Sequence, residues 1–249
     1  VSPGNSNKLQ MANIILNADL GEGEDYQLTR RLMTVIGAAN IATGGHAGSK
    51  KSIRQCLEAC AAHGVKPGAH PGMPDQFGRS RTWPQPDAFS DLLETQWRLM
   101  EESADEMEIP VHHIKLHGSL YTAVEQSPRL AERYLEFLKS RSRPLVVICL
   151  SGGGFARSAR AEGLPVWEEL FADRALEDDG LLTPRSHPDA LITDVPGAVE
   201  RFRQWKQAGI LHSRTGVMLE RSAQTWCVHS DTPEALELAT RLRQVLFEI

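Results

Sequence analysis

The residues best equipped for chemistry are two carboxylates, Asp19 and Glu22, three histidines, His46, His70 and His117, and one lysine, Lys115. Most sit where an apolar run gives way to glycine: Asn17-Ala18-Asp19-Leu20-Gly21-Glu22-Gly23, Gly44-Gly45-His46-Ala47-Gly48, Gly68-Ala69-His70-Pro71-Gly72 and Lys115-Leu116-His117-Gly118. Glycine lets backbone come close to a ligand. Carboxylate and imidazole together suit two kinds of chemistry. Asp19, His46, His70 and His117 could ligate a divalent metal (zinc, manganese or magnesium) and leave a position for water. An ion held that way would polarise a carbonyl and acidify its water. Alternatively, the histidines donate hydrogen bonds and shuttle protons without metal, with Asp19 or Glu22 as general base or Asp19 as nucleophile. The ligands are scattered along the chain and no H-E-x-x-H pattern occurs, so spacing leaves both readings open.

Such scattered residues need a scaffold that gathers them. Seven stretches read as buried strands: one centred on Ile14-Ile15-Leu16 and running to Asp19, then Ala38 to Thr43, Val65 to His70, Val111 to His117, Pro144 to Leu150, Val166 to Asp173, and Ala223 to His229. Helical patterns alternate with them. One lies near Tyr26 to Ile36, and one starts at Ser49 or Ser52 and ends at Gly64. A longer one carries Phe89, Leu92, Leu93, Trp97 and Met100 on a stripe. Others follow Ser127-Pro128, run from Pro196 to Gln207, and close the chain after Thr232-Pro233. This order predicts an α/β fold with a parallel sheet and right-handed crossovers.

The strand exits then carry Asp19, His46, His70, His117, Ser151, Asp173 and His229, with Arg174 and Asp231 beside the last two. In a β/α barrel these ends converge on one mouth, where active sites are built. Residues two apart on a strand share a face, so His113, Lys115 and His117 point the same way and His112 points opposite. Ser151-Gly152-Gly153-Gly154 could cradle a phosphate on backbone amides. There is no G-x-x-x-x-G-K-[ST] pattern, and a tight turn is the default reading.

The 249 residues, 41% hydrophobic and 24% charged, suffice for one sizeable core. A net charge of -5 without a basic cluster argues against nucleic acid as partner. No apolar run approaches the roughly 20 residues that span a membrane. Cys56, Cys60, Cys149 and Cys227 lack zinc-site or disulfide spacing and read as small core residues, which fits a reducing cytoplasm. Residues 1–10 are polar, precede Met11 and read as a disordered extension or a remnant, without the apolar centre of a secretory signal. Residues 11–249 are expected to form a single barrel domain.

The motifs Asn17 to Gly23, Ala39 to Gly48, Gly68 to Gly72 with Asp75, Lys115 to Tyr121, Phe171 to Arg174 and Thr225 to Pro233 resemble the LamB/YcsF family, whose members are also called the 5-oxoprolinase A-type subunit. The resemblance covers nearly the whole chain. It implies a seven-stranded parallel β/α barrel similar to the glycoside hydrolase/deacetylase superfamily. It also implies ATP-dependent opening of 5-oxoproline, a small lactam, to glutamate together with two partner subunits. Asp19, His46, His70 and His117 fall on the family's motif positions. If ATP phosphorylates the lactam oxygen, Lys115, Arg79, Arg174 and Arg185 could balance the phosphate charge, and Asp173, His229 and Asp231 complete the expected substrate-binding set. The chain departs from the usual pattern at Thr43, Gly45, Ser49, Leu116, Thr122 and Ser230. The alternative reading is a metal-dependent amide or carbohydrate hydrolase, similar to deacetylases, that does not use ATP.

Overall fold

The computed structural model describes residues 14–75, 78 and 82–248. The first ten residues and Arg79, a proposed phosphate ligand, lie outside them. Seven parallel strands close into a barrel: β1 (Ile15–Leu20), β2 (Ala38–Ala42), β3 (Lys66–His70), β4 (His113–Lys115), β5 (Val146–Leu150), β6 (Val166–Phe171) and β9 (Thr225–His229), with β9 completing the ring between β6 and β1. Helices α1 (Tyr26–Met33), α2 (Lys50–His63), α3 (Pro86–Asp105), α4 (Gly118–Gln126), α5 (Pro128–Lys139), α6 (Gly154–Ala161), α7 (Val195–Ala208) and α8 (Ala235–Phe247) lie along the chain between and after the strands.

The strands divide their side chains by alternation. In β1, Leu16, Ala18 and Leu20 belong to the hydrophobic core, while Asn17 and Asp19 enter a polar interior. That interior is laced by hydrogen bonds. The Asn17 amide donates to Glu169 Oε1 at 2.8 Å and Thr225 Oγ1 at 2.7 Å, and the Asn40 amide donates to Asn17 Oδ1 and Asp19 Oδ1, both at 2.7 Å. His113 Nε2 lies 2.9 Å from Asn40 Oδ1. Gly68 makes room for this ring, because a Cβ there would overlap it. His113 and Lys115 thus point into the barrel together, while His112 packs against Trp167. Outside, the α3 stripe of Phe89, Leu93, Trp97 and Met100 is buried, each such side chain contributing about 1.5–3 kcal/mol by leaving water.

Local signals mark several boundaries. Ser49 forms a reciprocal capping box with Ser52, and Gly64, at φ +68°, ends α2 in the left-handed conformation. The structure departs from these expectations or adds to them at four places. β4 is three residues long, not seven: the His112 N–H and C=O still bond Pro67 and Val146, but Val111 lies before the ladder and Leu116 beyond it. The segment after His117, to which the pattern assigns no element, is helix α4. The chain between α7 and β9 folds into an antiparallel hairpin, β7 (Ile210–His212) with β8 (Met218–Glu220), too short for a periodic signal. Finally, α8 begins at Ala235, past the Thr232-Pro233 start signal, which forms a turn instead.

Candidate active site

The carboxyl ends of β1, β3, β4, β6 and β9 and the loop after β2 bring the predicted residues to one mouth. Three groups of side chains meet there.

The first is a cluster of Glu22, His46, His70 and His117, whose ligand atoms all lie within 4.8 Å of one another. Glu22 Oε1 is 2.8 Å from His46 Nε2, 3.0 Å from His117 Nδ1 and 3.6 Å from His70 Nε2. Gly21 (φ +76°) and Gly23 (φ +110°) turn the chain back so that Glu22 can reach them. The His46 and His117 rings stack with centroids 3.5 Å apart. His70 Nδ1–H donates to the Lys115 carbonyl at 2.8 Å, which aims the Nε2 lone pair into the cluster. His70 Nε2 and His117 Nδ1 are 3.0 Å apart. Burial holds the pKa of His46 below the ordinary value and that of His117 down to about 4. Burial likewise opposes charge on His70, but Asp19 outweighs it and raises the pKa. Three imidazoles and a carboxylate directed at one point fit a divalent metal.

The second group is ionic. Lys115 Nζ donates to Asp19 Oδ1 at 2.9 Å and lies 3.0 Å from Glu169 Oε1 and 3.1 Å from Cys227 Sγ. Burial disfavours the ammonium, yet Asp19, Cys227 and Glu169 raise its pKa well above the usual lysine value. Two carboxylates within 3.0 Å thus favour the charged ammonium of Lys115. Asp19 Oδ2 reaches 3.3 Å from His70 Nε2. Burial alone would raise the Asp19 pKa, but His70 and Lys115 hold it well below the carboxylate range. Burial raises that of Glu169, with Lys115 opposing. Asp19, Cys227 and His229 also lie within ligand distance of one another, but the Lys115 ammonium already supplies the cation between Asp19 and Cys227.

The third group is a carboxylate–imidazole pair. Asp173 accepts the His229 backbone N–H at 3.0 Å and the ring Nδ1–H at 2.9 Å. This leaves Nε2 turned toward Asp19, 3.8 Å away. Burial would raise the Asp173 pKa, but His229 lowers it.

Asp19, His70, Lys115, His117 and His229 line a cavity of about 40 Å³ that Tyr121, Phe171, Arg174 and Arg185 also border. Arg174 donates to the carbonyls of Thr183, at 2.6 Å, and Ala190, at 3.3 Å, while Arg185 pairs with Asp231 at 2.9 Å. The glycine-rich loop after β5 behaves as a turn whose amides already have acceptors. Gly152 N–H donates to Glu168 at 2.8 Å and Phe155 N–H to Glu125 at 3.1 Å.

Sequence reasoning placed Asp19 in the histidine set. In the structure Glu22 is the carboxylate central to that set, and Asp19 touches only His70 of it directly. It missed Asn17, Asn40, Glu169, Cys227 and Gln96. A polar residue at alternate positions of a barrel strand was the available signal for the first four. Gln96, on α3, had none: its amide holds Gly72 N–H at 3.0 Å and Gly72 C=O at 2.7 Å, fixing the loop after His70. Four of the six departures from the family pattern have structural roles at the mouth. Thr43 bonds Gln96, Ser230 Oγ donates to the Asp19 carbonyl at 2.7 Å, Ser49 caps α2, and a Cβ at Gly45 would collide with the Gly72 carbonyl.

A closed parallel barrel with buried acid–base and ionic groups at the carboxyl ends of its strands is the architecture of a β/α-barrel enzyme. The chain belongs to the LamB/YcsF family, whose profile matches residues 14–248. It is 36% identical over 240 residues to the 5-oxoprolinase A-type subunit of Bordetella pertussis (strain Tohama I), covering 94% of each chain. It is 34% identical over 243 residues to the Tolumonas auensis protein of that name, covering 96% of this chain and 97% of the relative. The crystal structure of a lactam utilization protein from Thermus thermophilus superimposes with a TM-score of 0.84 at 31% identity, covering 94% of this chain and 96% of that one. No helix among the described residues is long and apolar enough to cross a membrane.

Proposed function

We propose that this chain is the lactam-opening component of an ATP-dependent 5-oxoprolinase, acting with two partner subunits on 5-oxoproline to give glutamate. The observation that carries this reading is the convergence of the Asp19–Lys115 pair, the Asp173–His229 pair and the histidine cluster on one cavity, in a chain that matches relatives named for 5-oxoprolinase along nearly its full length.

Hydrolysis breaks the lactam C–N bond, joins a water oxygen to the carbonyl carbon and sends a proton to the ring nitrogen. An amide is a poor electrophile, and transfer of the terminal phosphoryl group of ATP to its oxygen, with ADP leaving, makes the carbonyl carbon open to attack. Water adds to that carbon and the C–N bond breaks as nitrogen takes a proton, giving an acyl phosphate from which a second water releases phosphate and glutamate. In this scheme His229, whose Nδ1–H is held by Asp173, accepts a proton from the attacking water at Nε2 and passes it on to the ring nitrogen. Lys115, held between Asp19 and Glu169, faces the negative charge of the phosphoryl group on the lactam oxygen. Asp19 is the carboxylate nearest both. Glu22, His46, His70 and His117 would hold a divalent metal, which when bound polarises a carbonyl and acidifies water. The amides of the glycine-rich loop are engaged by Glu168 and Glu125, so this reading assigns the nucleotide to one of the partner subunits.

The test is release of ADP and glutamate from ATP plus 5-oxoproline, with the chain alone and with partner subunits. Coupled release only with partners is expected, and its loss in Asp19→Ala and His46→Ala. No release with folded chain and competent partners would refute the reaction. The four-donor cluster also favours a second reading, a metal-dependent amide or carbohydrate hydrolase. That reading requires bound metal and turnover without partners or ATP.

A further inference from the structure

The inner cavity is too small for a whole substrate. Its volume of about 40 Å³ holds a few waters, whereas a chamber of about 420 Å³ adjoins it. Gly118, Arg174, Leu182 and Arg185 border both, so they form the boundary a lactam must straddle.

The charges on the two sides of this boundary differ. Inside stand Asp19, Asp173 and, against the histidines, Glu22, and the Lys115 ammonium is already held by Asp19 and Glu169. A substrate carboxylate directed inward would be repelled and would find Lys115 engaged. At the boundary stand two guanidinium groups. Arg174 is fixed by the Thr183 and Ala190 carbonyls and is buried. Arg185 pairs with Asp231, and both partners keep contact with solvent, their side chains 20% and 36% exposed. An ion pair of that exposure exchanges partners at little cost. Guanidinium also matches a carboxylate in geometry.

We propose that Arg185 is the specificity-determining residue of this site, binding the carboxylate of an anionic lactam at the boundary between the two cavities and exchanging its pair with Asp231 for one with the substrate. This rests on the lactam reading above and adds to it an orientation. The anionic end points outward at Arg185, with Arg174 adding positive charge, and the amide edge points inward at Lys115 and His229. It also gives Asp231 a role as internal stand-in for the substrate's charge.

The test compares 5-oxoproline with 2-pyrrolidinone, the same ring without the carboxylate. Binding to the chain is measured by calorimetry and turnover with partner subunits present, for wild type, Arg185→Met, Arg185→Lys and Asp231→Asn. In Arg185→Met the kcat/KM preference for 5-oxoproline falls at least about tenfold, mainly through KM. Arg185→Lys recovers part of it, and Asp231→Asn tightens 5-oxoproline. An unchanged preference, or equal losses for both lactams, overturns the proposal. So does a variant that loses competition by inorganic phosphate while keeping its 5-oxoproline affinity, since Arg185 would then serve a phosphoryl group. If Arg185→Met fails to fold, Arg185→Lys and Asp231→Asn decide. Wild-type chain that binds 5-oxoproline without turnover refutes the reaction but leaves the binding ratios to judge Arg185. Wild-type chain that does not bind 5-oxoproline refutes both.

Discussion

Replacing Lys115 by methionine tests whether the barrel interior depends on a single cation. The substitution keeps the length of the side chain and removes the charge that lies 2.9 Å from Asp19 and 3.0 Å from Glu169. Breaking a buried pair by removing one partner costs about 3–5 kcal/mol. The two carboxylates do not share that cost equally. Burial already raises the pKa of Glu169, so it takes up a proton readily once Lys115 is gone. Burial opposes the charge of Asp19 while His70 and Lys115 favour it, and the substitution removes the ammonium. At about 2–4 °C per kcal/mol for a chain of this size, Tm drops by about 6–20 °C. Differential scanning calorimetry reads the single variant, and a cycle with Glu169→Gln reads the coupling. Glu169→Gln alone has a smaller effect, and the double variant is more stable than Lys115→Met by at least about 1 kcal/mol. A Lys115→Met protein melting within about 2 °C of wild type, or a double variant no better than the single, would refute the reasoning.

Asp173→Asn removes the negative charge and leaves one oxygen to serve both the backbone N–H and the ring Nδ1–H of His229, and kcat of the partner-supported reaction falls by about 10²–10⁴. His229→Ala costs about the same, and combining the two adds little because they act as a unit; additive losses would speak against the pairing. If the histidine cluster holds a metal, purified chain carries about one equivalent by elemental analysis. Glu22→Gln and His46→Ala lower that content and His229→Ala does not; equal content in all four proteins would remove the cluster from consideration. Glu125 yields a prediction in pH. Burial raises its pKa, with the Phe155 and Gly154 amides opposing. A carboxyl whose folded pKa is raised stabilises fully below its unfolded value and loses that stability as pH rises through the folded one. Glu125→Gln keeps the acceptor for Phe155 N–H, so its Tm advantage over wild type is absent near pH 4 and present at pH 7. An advantage that shrinks with rising pH would reverse this assignment.

Most of the barrel was legible because its signals are local. Apolar runs such as Val146 to Leu150 ending in glycine, and helix starts such as Ser49 and Ser127-Pro128, need no knowledge of distant residues. The signal failed where an element is held by the barrel and not by its own pattern. The three residues of β4 ladder only because β3 and β5 flank them, and the β7–β8 hairpin has no period to display. Individual site residues were equally readable wherever they sit at strand exits, and their partners were not. That Lys115 would meet Glu169, more than fifty residues away, follows only once β4, β5 and β6 are adjacent in the ring.

The division between Asp19 and Glu22 follows from the same geometry. Within β1 the alternation that sends Leu16, Ala18 and Leu20 outward sends Asn17 and Asp19 inward, so Asp19 must join whatever the neighbouring strands present at that level. Lys115 and His229 are at that level, because β4 and β9 contribute their own alternate residues. Glu22 lies two residues past the strand and is freed from the alternation by the positive-φ glycines on either side. Its carboxylate can therefore rise to meet His46, which is itself on a loop, and His117, which opens α4. His70, the last residue of β3, touches both levels, 3.3 Å from Asp19 and 3.6 Å from Glu22. The site is thus two-storeyed, with a rigid ionic floor built by strands and an imidazole–carboxylate layer built by loops, and His70 is the residue through which a change in either reaches the other.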